Sequence, residues 1–290
     1  MNKKRSAGWG GKAFDLFNAI LMTGIVIVML YPFWYILVGS VSSVEHIYSG
    51  KFLLWPDEFQ TQAYEMMLKN RKVAASFLNS VFVTIVGTLI SMTLSYMGAY
   101  VLSKRYLPGK KIMSMFLIFT MLFNGGLIPL YLLVSEIGLI DSVWSLILPT
   151  CLSTYYMIIM RNFLMTIPTT LEEAAEMDGA GQLKIMVKIY LPLSAPILAT
   201  VTLFYAVGYW NSFFYATIFL NDSKYWTLQV LLRELILMSN TAALDSASGT
   251  MLTENGKMAL IIITSVPIII VYPFLQKYFV KGMLVGSVKG

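Results

Sequence analysis

Charged residues are scarce in this 290-residue sequence, at 12% of the chain against 57% hydrophobic residues. Soluble globular proteins carry about a quarter charged residues, so the composition indicates a membrane-embedded protein. No Asp, Glu, Lys, Arg or His lies well inside any of the long apolar runs. Because proton- or ion-coupled carriers usually keep such residues within the membrane, their absence argues against secondary transport.

The sequence has a single cysteine, Cys151, and a single histidine, His46. One cysteine excludes an internal disulfide framework and most cysteine-based metal sites, and it leaves the redox compartment open. His46 lies outside the apolar runs, so H-E-x-x-H or Ser/His chemistry within the membrane is unsupported. The phosphate-binding pattern G-x-x-x-x-G-K-[ST] is also missing. The sequence therefore predicts a non-catalytic chain with no metal site and no cofactor of its own.

Long apolar stretches dominate the rest of the sequence. A hydrocarbon core about 30 Å thick requires roughly 20 apolar residues in a helix, and these stretches are too long for the alternating strands of a membrane β-barrel. The predicted fold is an all-α membrane protein with a single domain, residues 1–290. Its six predicted transmembrane helices cover approximately residues 14–38, 77–102, 112–134, 143–160, 192–220 and 258–276. Five prolines are expected to kink these helices: Pro32, Pro129, Pro149, Pro196 and Pro267.

Lysine and arginine mark one side of the membrane. When the N-terminus is placed inside, 14 of the 21 basic residues share the inner side, and ten of the fifteen acidic residues fall on the outer side. The positive-inside rule therefore predicts that both termini are cytoplasmic. This topology accounts for the net charge of +6 without a nucleic-acid partner. The inner basic groups lie at residues 3–12, 104–111, 161–188 and 277–289.

A polar stretch, residues 166–192, interrupts the apolar chain in the predicted cytoplasmic loop between the fourth and fifth spans. Thr170 and Glu173 fit a capping box at the start of a short helix, and Gly179 stands where a left-handed residue would end it. A second short helix is predicted to follow, and Pro192 begins the next span. Helices this short are marginal alone in water, so they must dock, either on a partner or on their own bundle. The second helix has a predicted apolar stripe of Leu183, Met186, Val187 and Tyr190.

The segment EAAEMDGAGQLKIMVKIYLP contains E-A-A, three residues, G, nine residues, I, one residue, and L-P. This spacing resembles the cytoplasmic signature of bacterial ATP-binding cassette (ABC) importer permeases at every fixed position. The wider sequence is similar to the sugar-importing branch, which includes the smaller maltose permease. It is closer still to permeases of Gram-positive importers for oligosaccharides released from complex polysaccharides. Within the coupling segment, residues 170–191 and the adjoining proline, the candidate ATPase-coupling residues are Glu172, Glu173, Ala174, Ala175, Asp178, Gly179, Ala180, Ile189, Leu191 and Pro192.

The resemblance implies a set of partners. A second, homologous permease subunit would complete a heterodimer, two cytoplasmic ATPase subunits would bind ATP and magnesium, and an extracytoplasmic lipoprotein would deliver an oligosaccharide. Glu173 would pair with a basic residue in an ATPase groove, which Ala174 and Ala175 would approach closely. Glu172 and Glu176 are expected to be simply solvated. The tail, residues 277–290, would reach the ATPase dimer or serve as a basic membrane anchor.

A sugar path requires aromatic faces and a few amides or hydroxyls, and the fifth span offers the richest set. Residues of this kind near a membrane interface also serve as an aromatic belt, which is the competing interpretation. Asn211 is the strongest candidate, because a lone amide in an apolar helix requires a partner or a wet cavity. The full candidate set is Asn124, Tyr131, Ser135, Tyr205, Tyr209, Trp210, Asn211 and Tyr215.

The cargo rests on the wider resemblance alone, because permeases for other solutes share the same cytoplasmic signature. Uronate-containing fragments would need cationic contacts, which Arg233 or the partner subunit could supply. Two other hypotheses are a stand-alone carrier or channel and an intramembrane enzyme. The first leaves the complete E-A-A pattern unexplained, and the second lacks catalytic residues.

Overall fold

The computed structural model describes residues 9–49, 53–242 and 253–287, and these residues are helical or irregular. The chain divides into two compact units. The first comprises Met1–Lys69 and Leu235–Thr264, and the second comprises Asn70–Glu234 and Ser265–Gly290. The predicted all-α fold class is therefore confirmed for the described residues.

Most helices of the described residues are short, and only a few exceed thirty residues. Residues 148–150 and 223–225 form 3₁₀ turns, and residues 186–190 form a π-helical turn. The α-helices, numbered in chain order, are α1 Trp9–Gly39, α2 Val44–Tyr48, α3 Gln62–Lys69, α4 Arg71–Ser103, α5 Lys110–Leu122, α6 Leu127–Glu136, α7 Trp144–Ile147, α8 Thr154–Leu164, α9 Thr169–Met177, α10 Gln182–Ile185, α11 Leu191–Leu193, α12 Ala195–Trp210, α13 Phe214–Phe219, α14 Leu228–Ala242 and α15 Glu254–Ser287.

The first unit joins α1 to the short helix α2 and to the start of α15. Ser43 caps α2 by accepting a hydrogen bond from the backbone N–H of His46. Asn255 donates a hydrogen bond to the carbonyl of Ser42, with 3.3 Å between the two atoms. Gly39 lies so close to Met258 that a Cβ at residue 39 would meet its sulfur at 2.2 Å. Glycine at this position therefore permits α1 and α15 to approach each other.

The second unit is built around α4, which packs against α8 and α12. The buried face of α4 is lined with small residues, so neighbouring helices approach closely. A Cβ at Gly87 would lie 2.8 Å from the ring of Tyr209. Two serines of α4 bond tyrosines of α12: Ser91 lies 2.8 Å from the hydroxyl of Tyr209, and Ser95 lies 2.7 Å from that of Tyr205.

Four helical stretches of the described residues are long and apolar enough to cross a membrane: Gly11–Gly39, Arg71–Ser103, Ala195–Phe219 and Glu254–Val271. A fifth crossing results if α5 and α6 are one span, although they are bent by 104°. The continuous helix predicted for 112–134 is therefore wrong, since the chain breaks between α5 and α6 at FNGG, where Gly126 has a φ of 91°. Residues 143–160 likewise form α7, a 3₁₀ turn and part of α8 instead of one helix. The count of six spans stays a prediction.

The prolines explain part of this difference. Pro149 and Pro196 lie at the first or second position of a helical element, and Pro129 is at the third residue of α6. Proline is tolerated there because the first N–H groups of a helix have no internal partner. At these three positions the proline therefore lies at the start of a helix, where the sequence predicted a kink within one. Pro32 and Pro267 do lie in helix interiors, in α1 and α15.

Candidate functional site

Two short helices, α9 and α10, form the coupling segment, and Gly179 lies between them. Gly179 has a φ of 75°, as predicted for a left-handed helix end. The N–H of Gly179 bonds the carbonyl of Glu176, and the N–H of Ala180 bonds that of Ala175, both at 2.9 Å. This pair of bonds is a Schellman motif, which satisfies the last carbonyls of α9. The predicted hinge between two helices is therefore present.

The predicted capping box at the start of α9 is wrong. Pro168 occupies the N-cap position, no side chain caps the helix, and Thr169 is the first helical residue. Thr170 is consequently inside the first turn, where its hydroxyl cannot cap the N–H groups that follow. The proline sets the start of the helix because its fixed φ suits the residue just before a first turn.

Glu172 is the buried centre of this segment. Its side chain accepts hydrogen bonds from Lys104 at 2.5 Å, from the Tyr106 hydroxyl at 3.1 Å and from the Tyr190 hydroxyl at 2.8 Å. Glu172 and Lys104 are each only 6% exposed. The prediction that Glu172 is solvated is therefore wrong, and this carboxylate is not available to an ATPase subunit. We call Lys104, Tyr106, Glu172 and Tyr190 the Glu172 cluster.

The electrostatics of the Glu172 cluster favour the charged pair. Burial alone would raise the pKa of Glu172, but the hydrogen bonds from Lys104 and Tyr190 and the charge of Lys104 hold it below its usual value. Burial and the hydrogen bond to Glu172 raise the pKa of Tyr190. The Lys104 ammonium also lies 4.0 Å from the ring centre of Tyr100 and 4.5 Å from that of Tyr190. These cation–π contacts further stabilise the buried lysine.

Helix α4 holds the second half of the segment through two tyrosines. Tyr96 donates a hydrogen bond to the carbonyl of Met186 at 2.9 Å. Tyr100 bonds Gln182 at both its side-chain oxygen, at 2.7 Å, and its carbonyl, at 3.2 Å. The carbonyl of Met186 also accepts the N–H of Leu191, which is the spacing of a π-helix. The coupling segment is thus fixed to the end of α4 at several points.

The prediction of one apolar stripe on the second helix is wrong, because its four residues differ widely in burial. Leu183 and Val187 are 72% and 51% exposed, whereas Ile185 is fully buried and Tyr190 is 4% exposed. A π-helical turn has more residues than an α-helical turn, so residues after 186 do not continue the α-helical periodicity that the prediction assumed.

An exposed surface remains for a partner. Met177 is 88% exposed, which is costly in water for a large apolar side chain. Glu176 is exposed but bonded to Gln182 at 2.7 Å. Of the predicted coupling residues, Ala175, Ala180 and Ile189 are half-buried, Glu172 is buried, and the exposed ones are Glu173, Ala174, Asp178, Gly179, Leu191 and Pro192.

An open cavity of about 350 Å³ in the second unit brings together four of the eight predicted sugar-path residues: Tyr205, Tyr209, Asn211 and Tyr215. The hydroxyls of Tyr205 and Tyr209 already form hydrogen bonds with Ser95 and Ser91 of α4. The Tyr205 hydroxyl also accepts a hydrogen bond from the N–H of Ser153 at 3.0 Å. Asn211 accepts a hydrogen bond from Gln229 at 3.3 Å. Sequence reasoning missed the remaining lining residues: Thr150, Ser153, Tyr156, Phe204, Gly208, Ser212, Phe213 and Phe214.

The other four predicted path residues lie outside this cavity. Trp210 is buried with its ring 6.1 Å from that of Phe77, and Asn124 bonds the N–H of Gly126 at 2.9 Å. Ser135 is exposed near the end of α6. Tyr131 stacks on Phe219 with 6.2 Å between the ring centres. Whether any of the eight contacts a sugar stays a prediction.

No group of three His, Cys, Asp or Glu side chains close enough to hold a metal ion occurs in residues 9–49, 53–242 and 253–287. The apolar helices, the aromatic cavity and the exposed two-helix segment together define a class, the membrane transport proteins. Residues 74–285 match the model of a protein family that is described as the inner membrane component of binding-protein-dependent transport systems. The chain belongs to this family, and it is therefore a multi-pass membrane protein of a transport system.

Similar proteins support this assignment over the full length. The chain is 44% identical to the polygalacturonan/rhamnogalacturonan transport system permease protein YtcP of Bacillus subtilis (strain 168), over 96% of this chain and 99% of that protein. It is 41% identical to the protein LplC of the same organism, over 97% and 96%. A crystal structure of a bacterial ABC transporter involved in the import of the acidic polysaccharide alginate contains a chain that matches with a TM-score of 0.87. That match is 34% identical and covers 95% of this chain and 100% of the other. The predicted resemblance to ABC permeases is confirmed.

Proposed function

We propose that this chain is the permease subunit of an ATP-driven importer for oligosaccharides, in particular fragments of complex polysaccharides. The proposal rests on its family and on relatives named for the transport of polygalacturonan, rhamnogalacturonan and alginate. A second permease subunit completes the passage, two ATPase subunits bind ATP and magnesium, and an extracytoplasmic lipoprotein delivers the sugar.

Within the structure, the observation that carries the proposal is the exposed coupling segment fixed to a long apolar helix. Met177, Leu183 and Glu173 are exposed for a partner, while Glu172 and its hydrogen bonds hold the same segment to the end of α4. A stand-alone carrier would have no use for such a segment. The arrangement is what a subunit needs when its energy comes from another chain.

The geometry supports a route from the ATPase to the cavity. Movement of α9 and α10 would pull on α4 through Lys104, Tyr96 and Tyr100. Ser95, the residue before Tyr96, bonds Tyr205, and Ser91, about one turn before Ser95, bonds Tyr209. Both tyrosines line the cavity. A shift of α4 would therefore reshape the cavity wall, which is the requirement for alternating access.

The cavity suits a sugar more than a free ion. Its lining is mostly aromatic and contains no charged side chain, so ring faces can stack on the apolar faces of sugar rings. The guanidinium of Arg233 lies 5.2 Å from the ring centre of Phe213, which lines the cavity. We propose that Arg233, which packs on this ring, gives acidic sugars a cationic contact.

The finer topology is part of the proposal. The α5–α6 pair and the α7–α8 pair each complete one crossing, which gives six spans with both termini cytoplasmic. The distribution of basic residues supports this orientation. Single cysteines introduced at Lys184 and Lys72 in a Cys151→Ser background test it. An impermeant maleimide applied to intact cells should label residue 72 alone, and labelling of residue 184 would refute the orientation.

The test of function uses the assembled transporter. The chain is purified with its co-expressed partners, reconstituted, and assayed for ATPase activity with binding proteins loaded with a panel of oligosaccharides. Oligosaccharides of polysaccharide origin should stimulate ATP hydrolysis. Stimulation by a monosaccharide or an amino acid alone would overturn the assignment of the cargo, and transport without ATPase subunits would overturn the class.

A further inference from the structure

Another cavity of the second unit lies between the start of α5 and the last turn of α8, and cations form half of its lining. Its volume is about 560 Å³. The opening is wide, so the cavity is accessible from the surface of this chain. The residues that line it are Lys110, Lys111, Ser114, Met115, Ile118 and Arg161.

None of the three cations has an acidic partner in the described part of the chain. The ion pairs found there are Glu65 with Lys69, Glu172 with Lys104, and Glu254 with Lys257. The cavity therefore gathers three like charges without a counter-charge from its own chain. Like charges that share a partly buried site repel one another, so the site as it stands favours an anion.

Two of the cations are held in place by backbone carbonyls. Lys110 donates a hydrogen bond to the carbonyl of Lys104 at 2.9 Å, and Arg161 donates from Nε to the carbonyl of Leu102 at 3.1 Å. These bonds orient the side chains but do not neutralise them. Lys110 and Lys111 also begin α5, where the helix dipole disfavours cations. Their position therefore does not serve the stability of the helix.

The lining changes from polar to apolar along α5. Ser114 lines the cavity, and its hydroxyl oxygen is screened from water and has no hydrogen-bond partner among the described residues. Met115 and Ile118 follow on the face of Lys111, at the fourth and seventh positions after it, and are 64% and 44% exposed. A group that fits this lining has an anionic head for the cations and an apolar chain for the helix face.

We propose that this cavity binds the phosphate headgroup of an anionic phospholipid. The site lies at the start of the α5–α6 pair, which is long and apolar enough to cross a membrane if it is one broken span. In that crossing, the start of α5 lies at the depth of lipid headgroups. Basic pockets between transmembrane helices bind such headgroups. This site is distinct from the coupling segment and the aromatic cavity, and its depth rests on the crossing by α5 and α6 that is part of the proposed function.

The test measures lipid retention by the full chain in detergent, using native mass spectrometry. The probes are phosphatidylglycerol, phosphatidylcholine and inorganic phosphate. The wild-type chain should retain phosphatidylglycerol in preference to phosphatidylcholine. Arg161→Gln should reduce that preference about five-fold, and Arg161→Lys should restore most of it.

Lys188→Gln is the control, because it removes a positive charge from an exposed residue that does not line this cavity. It should leave the preference unchanged. Lys111→Gln is a second test on an exposed side chain, in case Arg161→Gln fails to fold. Equal retention by the wild type and by both cavity variants would overturn the proposal. Binding of inorganic phosphate without any preference among lipids, or loss of the lipid when the partner subunits assemble, would also overturn it.

Discussion

Glu172 and Lys104 depend on each other because both are buried in the same cluster. Removing one member of a buried ion pair leaves an unpaired charge, which costs about 3 kcal/mol or more. We expect Lys104→Met to lower the free energy of unfolding by about 3 kcal/mol, and the double change with Glu172→Gln to recover much of that loss. Thermal unfolding in detergent measures both variants.

The matched control is the pair Glu65–Lys69, which has the same chemistry at a distance of 3.2 Å but is 62% and 79% exposed. Surface pairs contribute about 0–1 kcal/mol, so Lys69→Met should have little effect. A Lys104→Met chain as stable as the wild type would contradict the role of the buried pair.

The buried pair of Glu172 and Lys104 predicts that the stability of the folded protein depends on pH. The pKa of Glu172 is lowered in the folded protein, so its contribution to stability is present above the unfolded value of about 4.3 and is lost as the pH falls through the folded value. Unfolding measured from neutral pH downwards should show a loss of stability in this range. Glu172→Gln removes the titrating group and should flatten that part of the profile, whereas an unchanged profile would contradict it.

The sequence alone could not show which of two neighbouring glutamates is buried. Glu172 and Glu173 are adjacent, and both suit the first turn of a helix. The E-A-A signature draws attention to Glu173, while the structure buries Glu172. The partner that decides between them, Lys104, is 68 residues away along the chain. Only the packing of α9 against the end of α4 brings these charges together.

At the level of the helices, a substitution at the hinge glycine tests whether the left-handed conformation between α9 and α10 is required. Gly179 has a φ of 75°, and nothing lies within 4 Å of a Cβ added there. Gly179→Ala therefore introduces strain without a steric clash, at about 1–2 kcal/mol. We expect weaker stimulation of the ATPase by loaded binding protein, together with a small loss of thermal stability.

Gly181 is the matched control for this change. Nothing lies within 4 Å of a Cβ at Gly181 either, and its φ of −71° is accessible to alanine. Gly181→Ala should behave like the wild type in both assays. Equal effects of the two substitutions would show that the left-handed conformation of Gly179 is not what matters.

The elements also show which features follow from local sequence. The hinge glycine and the existence of two short helices were predictable because a left-handed turn requires a particular residue. The break between α5 and α6 was not anticipated, although FNGG contains two glycines, because hydropathy averages over such a stretch. The π-helical turn begins at Met186, whose carbonyl also accepts a hydrogen bond from Tyr96 of α4, and the helical periodicity of the sequence did not predict it.

For the whole molecule, the decisive question is whether the ATPase subunit binds the exposed face of the coupling segment and moves it. Glu173 and Glu176 are exposed acids on the same helix, and the family signature singles out only Glu173. Reversing its charge should weaken docking without disturbing the buried Glu172 cluster. We expect Glu173→Lys to insert into the membrane normally and to abolish sugar uptake, while ATP hydrolysis continues without stimulation by binding protein.

Glu176→Lys is the comparison, since it reverses another exposed acidic charge three residues further along α9. It should retain most uptake, because Glu176 is bonded within its own segment to Gln182. Uptake of radiolabelled oligosaccharide and ATPase activity are measured in the same proteoliposomes, so that coupling is obtained as their ratio. Loss of uptake in both variants would indicate general electrostatic attraction to the ATPase. Wild-type coupling in Glu173→Lys would show that α9 does not dock through this residue. The distinction matters because a specific contact at Glu173 would place the force on α9 next to Glu172, whose hydrogen bonds join α9 to the end of α4.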